Sequence, residues 1–188
     1  MSNEFCFYGS DLYRKDQILK HLFGCLFLLV FPTSFLATST ESQQIILNRY
    51  LGNWTSNVVL KPSLWVPETK KFVEIKNVQW ILEGHYLQDI TSFDGKEKTL
   101  TLRRYSQQKN TFELWDFKPA DSSYWVGSWN KKSRTMTWKY IDFGIGIRGK
   151  LEDQFISDEK WVSKVVMEDK NGNLLLDAQV EHKKKKSD

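Results

Sequence analysis

From Trp54 to Glu181 the chain is a succession of short runs in which apolar and polar residues alternate, with turn chemistry between them. A period of two puts successive side chains on opposite faces, which is the signature of β-strands. Lys98 to Tyr105 shows it cleanly, with Leu100 and Leu102 set against Thr99 and Thr101. Thr135 to Ile141 repeats it, with Met136, Trp138 and Tyr140 on one face. The other runs are Trp54 to Leu60, Phe72 to Leu82, His85 to Ser92, Phe112 to Phe117, Tyr124 to Trp129, Ile147 to Ile156, Trp161 to Glu168 and Leu174 to Glu181. Pro62, Glu83-Gly84, Asp94-Gly95, Gln107 to Asn110, Pro119-Ala120-Asp121, Asn130 to Ser133 and Asp169 to Asn173 punctuate them. In Phe72 to Leu82 the apolar face switches near Asn77, which predicts a bulge there.

That makes about ten strands joined mostly by short turns, and short turns imply antiparallel neighbours. A meander of this length leaves two exposed edges unless the sheet closes on itself. The expected fold is therefore all-β, an up-and-down antiparallel barrel of about ten strands, with a β-sandwich as the alternative. A short helix precedes it. Ser42 is placed to cap it, Ile45, Ile46, Tyr50 and Leu51 form a partial helical stripe, and Gly52 stops it.

Residues 22–37 read LFGCLFLLVFPTSFLA and carry no charge. The run is shorter than the ~20 residues of a spanning helix and contains Pro32. Arg14, Lys15 and Lys20 precede it, and Ala37-Thr38-Ser39 resembles a small-residue cleavage site. Residues 1–39 are therefore read as an export signal, with an uncleaved N-terminal anchor as the other reading. Cys25 sits inside the apolar run, whereas a lipidated cysteine would follow it. The division expected is leader 1–39, barrel domain 40–183 and basic tail 184–188, in a periplasmic or extracellular protein. Membrane contact is expected only through the leader.

Both cysteines, Cys6 and Cys25, fall in the leader. The rest of the chain has no disulfide, thiol nucleophile or cysteine metal site to offer. The chain holds 27 basic and 23 acidic side chains, and the run Lys183 to Lys186 accounts for the whole excess. The folded body is thus no basic platform, and no nucleic-acid partner is expected. All eight tryptophans lie beyond the leader.

Gly52-Asn53-Trp54, at the start of the first strand and just after the helix, resembles the opening signature of the calycin superfamily, which includes lipocalins and fatty-acid-binding proteins. The resemblance implies that Trp54 closes one end of the barrel, with a cation from the last strand across its face. Lys183 or His182 is the candidate, and a desolvated cation over an indole contributes about 2 kcal/mol. Leu51-Gly52-x-Trp54, Trp80-Ile81-Leu82-x-Gly84-x-x-Leu87 and Trp125-Val126-Gly127-x-Trp129, followed by a strand that ends in basic residues, are similar to the family called domain of unknown function 1579. That likeness covers about residues 47–183. It implies a calycin-like barrel that is often exported, and no activity or cofactor.

The aromatic residues are the strongest candidates for a site. Trp80, Trp115, Trp125, Trp129, Trp138 and Trp161 are spread over several strands and either fill the barrel or line a cavity in it. Trp125 and Trp129 share a face with Gly127, which suggests a shelf for a flat ligand or else a barrel corner. Gly144-Ile145-Gly146, beside Phe143, reads as a flexible apolar lid. His85 lies next to a hairpin turn and is a rim candidate, weak as an axial ligand or as a partner of Glu83. Glu152 and Asp153 point to opposite faces of a strand and form no dyad. The sequence carries no catalytic or metal signature and implies no cofactor. The expected function is non-enzymatic binding of a small hydrophobic or aromatic ligand inside the barrel. The rivals are an enzyme that works on a lipid or sugar in the same cavity, and an interaction module whose barrel is full of side chains.

Overall fold

The computed structural model describes residues 42–186. The expected leader, with Cys6 and Cys25, lies outside these residues. Among the described residues one short helix, α1 (Gln43–Asn48), precedes ten strands. They are β1 (Gly52–Lys61), β2 (Lys70–Ile81), β3 (Tyr86–Phe93), β4 (Lys96–Ser106) and β5 (Thr111–Lys118). β6 (Asp121–Asn130), β7 (Thr135–Tyr140), β8 (Ile147–Ser157), β9 (Lys160–Asp169) and β10 (Leu174–Lys184) complete the series. Every strand pairs antiparallel with its sequence neighbours, and β1 pairs with β10, so the sheet is a closed barrel and not a sandwich. β10 runs through Lys184, so the first residue of the expected tail belongs to the sheet.

The ends of the barrel differ. Ser42 caps α1 by accepting from the Ile45 N–H at 3.3 Å, and Ile46 and Leu47 are buried. The chain then enters β1 through Tyr50, whose carbonyl accepts from the Trp54 indole N–H at 2.7 Å. Trp54 is fully buried and meets Trp161 edge to face at 6.1 Å. The cation across its ring is Lys184, with Nζ 5.4 Å from the centroid. Lys183, the residue expected there, points the other way and pairs with Glu181 at 2.9 Å. Alternation along β10 decides this, because Lys184 shares the inward face with His182 while Lys183 does not. Gly52 has a backbone reason for being glycine, with φ at 115°. It also has a steric one: a Cβ there would sit 2.8 Å from Lys184 Cε.

Inside this end Leu47, Leu87, Phe112, Met136, Trp138 and Phe155 pack into one apolar cluster with Tyr50, Trp54 and Trp161. Two glycines make room for its indoles. A Cβ at Gly127 would lie 2.5 Å from the Trp138 ring, and one at Gly149 would lie 2.8 Å from Tyr140 Cβ and 3.1 Å from Trp125. The shelf expected at Gly127 is therefore filled by the chain's own Trp138.

No register shift occurs at Asn77, where a bulge was expected. The shifts are at Thr91/Ser92, Phe155/Ser157 and Leu174/Leu176. Hydrophobicity misleads in β2 because Val73 and Ile75 face outward, 49% and 38% exposed, while Glu74 and Lys76 face in.

Gly127→Ala is expected to lower stability by about 1–3 kcal/mol through overpacking against Trp138. Urea denaturation followed by far-UV circular dichroism measures it, and an unchanged midpoint would contradict the packing described.

Candidate functional site

The half of the barrel away from α1 is not filled. It encloses a cavity of about 370 Å³. Its open end lies under the β1–β2 and β7–β8 loops, which contribute Trp65 and Ile145 to the lining. These side chains are 52% and 68% exposed, and Phe143 beside them is 73% exposed. The β1–β2 loop is held to β10 by Leu64 N–H to Leu174 C=O at 3.0 Å and Trp65 N–H to Leu175 C=O at 3.1 Å. The β7–β8 loop is held by the Asp142 carboxylate, which accepts from the Ile145 and Gly146 N–H groups at 3.0 Å each. The walls are apolar, with Leu114, Trp125, Leu151, Val165 and Val180 facing in.

The floor is polar and buried. Asp89 and Arg103 are 1% and 4% exposed. Arg103 Nη1 donates to Asp89 Oδ2 at 3.2 Å, and its guanidinium lies over the Tyr50 ring at 4.7 Å. Lys76 donates to Thr91 Oγ1 at 2.8 Å and reaches Asp89 at 3.5 Å. Burial alone would raise the Asp89 carboxyl, but Lys76 and Arg103 beside it outweigh burial and hold it below the usual carboxylate range. For Arg103 burial works against the cation, and the groups around it, Asp89 first and then Tyr50 and Asp153, outweigh burial, so the guanidinium stays charged. Glu74, on the wall above, is pushed up, chiefly by burial.

His182 is 2% exposed and stacks on Trp161 with ring centroids 3.5 Å apart. Burial, then the charges of Lys76 and Arg103, hold its imidazole well below its ordinary value, so it is neutral. Its Nδ1 meets Ser56 Oγ at 2.7 Å and its Nε2 meets Ser163 Oγ at 3.1 Å. Ser163 donates onward to Asp153 Oδ1 at 2.6 Å. A hydroxyl has one proton to give, so His182 carries its own on Nε2 and Ser56 donates to Nδ1. Asp153 Oδ2 also accepts from Tyr50 at 2.7 Å and Trp138 at 2.9 Å. Tyr50 is held well above its ordinary value, by burial first and then by Asp153, and remains a phenol. The relay therefore runs Ser56, His182, Ser163, Asp153. It is not the order of an acyl-transfer triad, in which the acid orients the imidazole and the imidazole accepts from the serine.

The expected tryptophans scatter. Trp125 lines the cavity. Trp138 is inside but buried in the packed half, bonded to Asp153. Trp129 lies against Phe155 at 5.9 Å, with Arg49 over its ring at 5.4 Å, near α1. Trp80 donates to Asn48 of α1 at 2.8 Å, and with His85 it borders a groove on the outside of that end. Trp115 is on the outer face, where Arg104 lies 5.2 Å from its centroid and from that of Tyr86. Trp161, one of the candidate aromatics, lines the cavity, and His182, expected only across Trp54, lines it too. Arg103, Lys76, Asp153 and Ser163 are the cavity residues that sequence reasoning did not single out as a site. The available signal was charge in phase with the inward face: Arg103 follows Thr101 by two, and Lys76 precedes Val78 by two. Among the described residues no group of three or more His, Cys, Asp or Glu is placed to hold a metal ion.

No family model matches the chain, and no curated protein matches it. Solved structures do. An S-type phycobiliprotein lyase, CPES, from Guillardia theta superposes with a TM-score of 0.53 at 8% identity, over 80% of this chain and 96% of that one. The Mycobacterium tuberculosis protein Rv2717c gives 0.54 at 12% identity, over 78% of this chain and 100% of that one. A protein of the DUF3598 family from Nostoc punctiforme gives 0.50 at 11% identity, over 74% of this chain. This chain spans about half of that protein, 49% of its length. At such identities the likeness establishes the fold alone.

Two outcomes are expected of the floor. Arg103→Leu leaves the buried Asp89 carboxylate with Lys76 alone to balance its charge and lowers stability by about 3 kcal/mol, measured by urea denaturation. The unfolded state takes up a proton at His182 near the ordinary histidine value of 6.5 and the native state does not. Stability therefore falls as pH drops below about 6.5, by up to about 1.4 kcal/mol per pH unit. Urea midpoints between pH 7 and pH 5 should show a steeper loss in the unaltered protein than in His182→Gln, and parallel curves would refute the assignment.

Proposed function

We propose that this chain is a binding protein that holds one small, mainly apolar ligand inside its barrel. The observation that carries this is the cavity of about 370 Å³, within the range of about 300–1,000 Å³ typical of small-molecule sites. Its apolar walls contribute burial, and its few convergent polar groups at the floor contribute orientation. A barrel filled for packing alone would place side chains such as Trp138 at both ends. This one packs the α1 end and leaves the other half hollow, with Trp125 and Tyr140 on its wall. The open end carries Leu64, Trp65 and Ile145 on its loops, exposed at 64%, 52% and 68%. A ligand in the cavity would cover part of that apolar surface.

The reading includes export, on the strength of the apolar run 22–37 and the small residues that follow it. Affiliation with domain of unknown function 1579 likewise rests on the Gly-x-Trp opening and the later Trp-rich motifs of the sequence. The barrel supports a fold of that kind.

Native mass spectrometry of the protein purified from its own host is expected to show a retained small molecule that is lost on denaturation. Val165→Phe, which fills the wall, is expected to weaken uptake of an uncharged naphthalene dye by at least about tenfold, or 1.4 kcal/mol, with the circular dichroism spectrum preserved. Unaltered uptake in that variant would place binding outside the barrel.

A further inference from the structure

We infer that the ligand is uncharged overall and carries a carbonyl-type oxygen, which reaches the floor of the barrel and accepts hydrogen bonds from Arg103 and Trp161. This rests on the cavity reading above and adds the chemistry of the ligand's inner end.

The first observation is an imbalance between donors and acceptors. Arg103 and Trp161 both line the cavity and are 4% and 2% exposed. Arg103 Nε and Trp161 Nε1 are buried and have no hydrogen-bond partner among the described residues. The floor acceptors are in use. Asp153 takes three donors, Asp89 takes Arg103, Lys76 and Thr91, and His182 Nδ1 is engaged by Ser56. Buried polar atoms are rarely left unpaired in native proteins. Here the unpaired pair is of one sign, two N–H donors, so a complementary ligand presents an acceptor.

The second observation decides between a neutral acceptor and an anion. A carboxylate would need a surplus of positive charge. The lining carries Lys76, Arg103 and Lys118, against Glu74, Asp116, Asp121 and Asp153. Arg103 and Lys76 are already committed to Asp89. An anion at the floor would compete with that buried carboxylate for the same cations and sit below the acidic groups of the wall and mouth. A ketone, quinone, lactam or similar oxygen meets the two free donors without adding charge. Trp161 is locked between His182 on its face and Tyr50 and Trp54 at its edges, so the orientation of its indole is set before the ligand arrives.

The test uses three dyes of similar size. Prodan is an uncharged naphthalene ketone, N-phenylnaphthylamine is uncharged and has no carbonyl, and anilinonaphthalene sulfonate is an anion. Fluorescence titration of the full chain is expected to give Prodan at least about tenfold tighter than the sulfonate, with its emission shifted as hydrogen bonding to the ketone requires. Trp161→Phe removes one donor and keeps a ring on His182. Arg103→Lys removes Nε and keeps the charge beside Asp89. Each is expected to weaken Prodan about threefold to tenfold and leave N-phenylnaphthylamine unchanged. If one variant fails to fold, the other carries the test. Tighter binding of the sulfonate, unchanged Prodan affinity in the folded variants, or equal loss for both uncharged dyes would overturn the inference while leaving the cavity reading intact. Failure of all three dyes to enter would overturn the cavity reading itself, and this inference with it.

Discussion

The pairing of β1 with β10 is the interaction on which the rest depends. It joins the first and last strands from Trp54↔Lys184 to Lys61↔Asp177 and turns a meander into a ring. The same contact brings Lys184 onto Trp54, Ser56 onto His182, and the free end of β10 against the β1–β2 loop. Lys76, Asp89 and Arg103 meet across the neighbouring strands β2, β3 and β4, and Asp153, Ser163 and His182 across β8, β9 and β10; closure joins the second group to Ser56. Gly52 bears on this directly, since a side chain there would displace the lysine stem that crosses the indole.

The two halves of the interior solve different problems. Near α1 the ring is filled by aromatic side chains seated over glycines, and this half supplies most of the dense apolar burial. Toward the open end the chain gives up packing for a void with a charged floor. Buried ion pairs seldom add stability over an apolar core of the same volume. Their value here is positional. Asp89, Arg103 and Lys76 fix one another, and Asp153 fixes Tyr50, Trp138 and Ser163, so the groups that face the void have one arrangement.

Much of the fold was legible, and the lining of the cavity only in part. Turn chemistry at Glu83-Gly84, Asp94-Gly95 and Asp169 to Asn173 marks strand ends correctly because those backbones need positive φ or side-chain caps, as at Gly84, Asp94 and Gly172. Period-two alternation gives the strands themselves. What alternation cannot give is which face is inside when polar residues are buried. In β4 the leucines 100 and 102 face out, and Thr101 and Arg103 face in. The candidate tryptophans divide for the same reason, and of them Trp125 and Trp161 line the cavity. Trp115 lies on the outer surface with Arg104, and Trp80 belongs to the seat of α1, whereas Trp161 and His182 reach the floor from the closing strands. The cation on Trp54 was right in kind and one residue out in position, an error that a period of two makes unforgiving.

The ring has a kinetic corollary. Fraying normally begins at an unpaired strand, and every strand of this barrel is hydrogen-bonded on both sides. The floor amides of β4, β8, β9 and β10 therefore lack a local route to solvent, and their hydrogen exchange reports opening of the whole hoop. The loops that carry Trp65 and Ile145 are tied by a few bonds each and exchange on their own clock. Motion of the loops at the mouth is thus separable from opening of the framework.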